Sequence, residues 1–118
     1  MKKLAICLAA LCLGACANGL VPDDSIDNAQ LAEIQRSQVE YDACLHGAAR
    51  RLDDGKSGVS EVAVGVMGAC QNQWSVTLSM QTKAMDQLSR ELFRDRMKAQ
   101  EQQNATAVVL EERQARRK

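Results

Sequence analysis

The chain has 118 residues, room for one small domain, and carries 15 Lys plus Arg against 15 Asp plus Glu, a formal net charge of zero. Zero net charge excludes a polyanion binder driven by bulk charge, and 3% aromatics (Tyr41, Trp74 and Phe93) leave too few rings for a base-stacking nucleic-acid surface. A single His, His46, all but removes imidazole-based catalysis and metal ligation from consideration.

The N-terminus reads as a targeting segment. Met1-Lys2-Lys3 is a positive n-region, and Leu4 to Leu13 (LAICLAALCL) is an uncharged apolar run too short to span a bilayer. Leu13-Gly14-Ala15-Cys16 follows and resembles the lipobox of bacterial lipoproteins. That resemblance implies cleavage of residues 1–15 as a signal peptide and diacylglycerol on the Cys16 sulfur. It also implies acylation of the new amine, with the acyl chains anchoring the protein to the membrane. Ala17, rather than Asp, follows Cys16, which in the enterobacterial sorting pattern implies an outer-membrane address facing the periplasm. An ordinary secretory signal cut after Ala17 is the competing reading, since Ala15-Cys16-Ala17 also fits an A-x-A site.

Residues 16–26, with Gly19, Pro22, Asp23 and Asp24, show no periodicity and are expected to be a membrane tether. Residues 27–118 are expected to form an all-α domain. Asp27 or Asn28 caps a first helix whose apolar stripe runs Leu31, Ile34, Tyr41, Leu45, Ala48 and Leu52, with Gln38 filling one gap. That helix ends near Leu52. Arg50 and Arg51 complement the dipole in its last turn, and Asp53-Asp54-Gly55 leads out of it. Ser57 or Ser60 is the expected cap of a second helix with the stripe Val59, Val62, Ala63, Val66, Cys70, Trp74, Leu78, Met85, Leu88 and Leu92. Gly65 and Gly68 share a face and either admit a close backbone or weaken the helix.

Continued without a break over 59–103, this second helix is about 68 Å long, against about 39 Å for the first. The overhang of about 30 Å then folds back, frays, or associates with another chain as a coiled coil or homo-oligomer. Asn104 is the expected cap of a last helical piece ending in a basic tail, Arg113, Arg116, Arg117 and Lys118.

Loss of Cys7 and Cys12 with the signal and lipidation of Cys16 leave Cys44 and Cys70, an even pair in an oxidising compartment. In an antiparallel hairpin turning near residue 57, facing positions have numbers that sum to about 114, as Cys44 and Cys70 do. The register opposes Leu45 to Ala69, Ala48 to Val66, Leu52 to Val62, and Tyr41 to Gln73 and Trp74. It therefore predicts a Cys44–Cys70 disulfide, with two buried thiols as the alternative. Tyr41-Asp42-Ala43-Cys44, Leu52-Asp53-Asp54-Gly55-Lys56-Ser57 and Ala69-Cys70 resemble small exported bacterial lipoproteins with a two-Cys helical hairpin and an Asp-Asp-Gly-x-Ser turn. The resemblance covers about residues 41–74 and implies fold and address without a mechanism.

No nucleophile motif, phosphate-binding loop or paired metal ligands are present, so neither an enzyme nor a cofactor is expected. His46 is expected to be solvated, Asp53 and Asp54 to serve the turn rather than Ca²⁺, Trp74 to be core, and Met80, Met85 and Met97 to fill core or seam. Residues 16–54 carry eight acidic and three basic groups and residues 83–118 nine basic and six acidic. The basic tail is thus a candidate contact for anionic lipid, lipopolysaccharide phosphate or peptidoglycan, or else a solvated helix end.

Arg117-Lys118 is similar to the C-terminal Arg-Lys of the peptidoglycan-linked murein lipoprotein, which is joined to the wall through its terminal Lys. The cysteine hairpin departs from that family. The sequence therefore points to a non-enzymatic envelope lipoprotein, anchored at Cys16, that meets an envelope protein or peptidoglycan through its C-terminal helix. The alternative is a small periplasmic ligand-binding or sensing module around Trp74.

Overall fold

A computed structural model describes residues 27–118, and the signal-peptide, lipidation and tether readings lie outside the described residues. Among the described residues there are four α-helices and no strand. Helix α1 spans Asn28–Leu52, α2 Val59–Ala69, α3 Gln71–Gln81 and α4 Gln87–Arg116.

Helix α1 starts where the sequence places it: the Asp27 carboxylate accepts from the Ala29 N–H at 3.2 Å, occupying a donor the first turn cannot satisfy. It stops at Asp53, which turns extended. The chain reverses through Gly55, whose φ of 73° lies in the left-handed region. Asp54 closes the turn by accepting from the Lys56 and Ser57 N–H groups, both at 2.8 Å. Ser57 is thereby committed to the turn, and α2 is capped by Gly58 without a side-chain bond rather than by Ser57 or Ser60.

The antiparallel register is the one the cysteines predict. Cys44 and Cys70 form a disulfide with Cα atoms 5.9 Å apart. Tyr41 stacks obliquely on Trp74 with ring centroids 5.1 Å apart. Around the bridge, small residues let the helices pack closely: Ala48, Ala49, Ala63 and Val66 are fully buried. Ser37, not Gln38, fills the gap in the α1 stripe, and its carbonyl accepts from Thr77 Oγ1 at 3.2 Å. Gly65 and Gly68 are exposed and receive no close backbone.

The expected helix over 59–103 is broken twice. At Cys70 the backbone relaxes (φ −107°, ψ 14°), with its N–H shared between Val66 and Met67 carbonyls, and α3 resumes at once. The second break, residues 82–86, is complete. The Thr82 hydroxyl bonds the Leu78 carbonyl at 2.8 Å, competing with the helical ladder. The Asp86 carboxylate then takes the Ser89 N–H at 2.9 Å and its hydroxyl at 2.7 Å, which starts α4 anew. Asn104 caps nothing; it lies inside α4. Of the three fates open to the overhang, the C-terminal half of α4 folds back onto α1 and α2. There Ala105, Val108 and Val109 complete the core. The described residues form a stapled helical hairpin with the C-terminal half of the long helix α4 laid on it.

Candidate functional site

Two polar clasps hold the end of α4 to the hairpin. The first is built on Asp53, whose side chain is wholly covered. Arg113 donates to it twice, from Nη2 to Oδ1 at 2.7 Å and from Nε to Oδ2 at 3.0 Å, and also to the Ser57 carbonyl at 2.6 Å. Arg116 donates to Asp53 Oδ2 at 2.5 Å and to the Asp53 carbonyl at 3.0 Å. Two guanidiniums and the Gly55 N–H thus surround one carboxylate. The Arg113 hydrogen bond is the main cause that holds the Asp53 carboxyl down, to about 2, against the opposing effect of desolvation.

The second clasp is one turn of α4 away from Arg116. Glu112 Oε1 lies 2.8 Å from His46 Nδ1 and 2.9 Å from Arg50 Nη1. The His46 hydrogen bond, with Arg50 beside it, holds the Glu112 carboxyl below its ordinary range. His46 is therefore half-buried and bonded, a correction to its expected place in solvent. With Nδ1 donating to Glu112, its Nε2 faces Asp42 and Glu111 oxygens at 4.0 and 3.8 Å, beyond hydrogen-bond reach. Among the described residues, no group of three or more His, Cys, Asp or Glu side chains is placed to hold a metal ion.

The clasps divide the candidate basic tail. Arg113 and Arg116 are spent on Asp53, while Arg117 and Lys118 project at the exposed end of the chain. Two guanidiniums share one carboxylate, so this end of the molecule stays cationic. A shallow recess there is lined by Gly55, Arg113, Arg116 and Arg117. It sits at the C-terminal end of α1, whereas Asp27, the first described residue, sits at the N-terminal end. The 25 residues of α1 separate these two ends by about 38 Å.

Trp74 is buried, 5% exposed, against Tyr41. Met97 packs against the core, and Met80 and Met85 are half-buried. A less legible feature is Glu101, buried near Tyr41 with one carboxylate oxygen unpartnered; burial pushes its carboxyl up. The Tyr41 hydroxyl is likewise buried and unpartnered, and burial, then the nearby Glu101, pushes it up. Among the described residues no helix is long and apolar enough to cross a membrane. Compared with protein-family models, with curated proteins and with solved structures, the chain matches none.

Proposed function

We propose that the chain is a non-enzymatic lipoprotein of the bacterial envelope, anchored through acylated Cys16 in the outer membrane and facing the periplasm. The stapled body acts as a rigid spacer that presents a cationic tip to the cell wall. The observation that carries this reading is polarity along the molecule. The lipobox-proximal residue Asp27 stands at one end of α1, and Arg116, Arg117 and Lys118 stand at the other, about 38 Å away. A disulfide, two clasps and a small-residue core keep those ends apart. The tip suits carboxylates of peptidoglycan or an acidic envelope protein, because exposed cations with no enclosing pocket attract anions without selecting a small ligand. A ligand-sensing role around Trp74 finds less support: its ring is covered by Tyr41 and the core, so a ligand would have to displace packed side chains.

The test has two parts. The non-reduced intact mass from a membrane fraction should correspond to a chain beginning at acylated Cys16 and two hydrogens lighter for the disulfide. A lipid-free mass beginning at Ala17 or Asn18 would remove the anchor from the proposal. Co-sedimentation with purified peptidoglycan should weaken with Arg117→Glu/Lys118→Glu at low salt. Equal pelleting of both forms would remove the tip.

A further inference from the structure

Helix α4 grips the hairpin only by its far half. Its buried residues are Glu101, Ala105, Val108, Val109 and Glu112, the first of them fifteen positions after the Asp86 cap. Both clasps lie at the end of that half, through Glu112, Arg113 and Arg116. No residue from Gln87 to Gln100 is buried. The helix packs on α1 and α2 and barely touches α3, which precedes it in the chain. What holds α4 is therefore remote from what links it.

The link itself suits a straight chain as well as a bent one. Thr82-Lys83-Ala84-Met85-Asp86 contains neither Gly nor Pro, and Lys, Ala and Met are good helix formers. Side chains make the break: the Thr82 hydroxyl on the Leu78 carbonyl, the Asp86 carboxylate on Ser89, and Arg90 Nη2, which donates to the Met85 carbonyl at 3.0 Å. Without it, residues 71–116 form one helix about 69 Å long. On that helix Trp74, Leu78, Met85, Leu88 and Leu92 fall on a single face about 80° wide. The helical pattern thus runs through the break, and only three side-chain contacts oppose it.

We infer that residues 82–86 are a hinge through which α4 docks on a second copy of this chain, giving a domain-swapped dimer. The docking surface is the groove between α1 and α2 that α4 fills in the single chain, so site and occupant already match. In the dimer both clasps close on the hairpin of the other copy, and Ala105, Val108 and Val109 complete its core. Two-fold symmetry makes the exchange reciprocal, so each contact of α4 is kept and the assembly closes at two chains. The cost is the association of two chains and the three contacts at the break; the regained helical ladder through 82–86 offsets it. Opening withdraws α4 from the core, so the choice between the two forms is made during folding.

Refolding the full chain from urea at increasing concentration, read by sedimentation, tests the hinge. The wild type should give a dimer fraction that grows with concentration. Thr82→Ala/Asp86→Ala removes two of the contacts that make the break and should raise that fraction. Gly-Ser-Gly-Ser inserted between Ala84 and Met85 interrupts the straight helix and should shift the chain to monomer with its helical circular dichroism kept. A chain that stays monomeric in all three forms would overturn the proposal. So would a dimer fraction that the insertion leaves unchanged, since the copies would then meet elsewhere on their surfaces. The exchange itself is read by refolding Arg50→Glu together with Glu112→Lys. Each variant alone sets like charges at the second clasp. Only by trading α4 do the two restore opposite charges in both hairpins, so mixed dimers should exceed the statistical half in native mass spectra. A statistical mixture would overturn the swap.

Discussion

Arg113 and Asp53, 60 residues apart in sequence, form a bidentate pair in which the carboxylate is completely covered. The pair joins the last turn of the last helix to the first turn of the chain after α1. It therefore makes the C-terminus part of the fold. Because Arg113 holds the Asp53 carboxyl near 2, below its ordinary 3.8, the folded state binds its proton less readily than the unfolded state does. The resulting stabilisation is present above about pH 4 and is lost as the pH falls toward 2. Thermal melts should show a falling midpoint across that window. Asp53→Asn should lower the midpoint at pH 7 and flatten the acid limb. Some slope persists in that variant, since Asp54, Asp86 and Glu112 are depressed too. An acid limb as steep as the wild type's would show that the clasp does not carry the effect.

Glu101 has the opposite sign. Its carboxyl is pushed up from 4.5 by burial, so the unfolded chain releases this proton first and stability drops as the pH rises past about 4.5. Replacing the carboxylate by an apolar group of similar length removes that penalty. Glu101→Met should gain about 1 kcal/mol at pH 7, read as a higher midpoint in melts, with a smaller gain at pH 4. A variant that melts lower than wild type at pH 7 would contradict the assignment of Glu101 as a buried liability.

The Cys44–Cys70 bridge closes a loop of 26 positions, for which loss of chain entropy in the unfolded state corresponds to about 3.5 kcal/mol. In a domain of this size that is a fall in melting midpoint of roughly 15 °C or more. Cys44→Ala/Cys70→Ala should show it, and adding reductant to the wild type should reproduce it. An unchanged midpoint on reduction would mean that core packing alone fixes the hairpin.

Gly55→Ala isolates the turn. A Cβ at Gly55 meets nothing within 4 Å, so its cost is the positive φ alone, about 1 kcal/mol. Gly55→Asn should cost less, because Asn tolerates the left-handed region. Urea unfolding of the two variants distinguishes them; equal loss would show that the constraint is not φ.

Local chemistry explains which parts of this fold were legible. Asp27 before a 3.6-residue stripe marks the start of α1, and Asp53-Asp54-Gly55 marks its end, because caps and positive φ depend on residues a few positions away. The cysteine register was legible for the same reason: one tight turn fixes which positions oppose each other. The break at 82–86 was not. Its signals are the Thr82 hydroxyl and the Asp86-to-Ser89 cap, both ordinary polar residues in a helix-compatible run without Gly or Pro. The Met85, Leu88 and Leu92 positions continue the apolar period across it.

The sequence by itself determined α1, the turn after it and the pairing of Cys44 with Cys70, all of which follow from contacts short along the chain or from one turn's geometry. Only the tertiary structure decided the fate of α4. Its return buries Ala105, Val108 and Val109 on a hairpin too small to close its own core. That return turns Arg113, Arg116, Glu112 and His46 from surface polar groups into fasteners. A charged side chain reads the same in sequence whether water or a partner sixty residues away neutralises it, and that choice is made only when α4 docks.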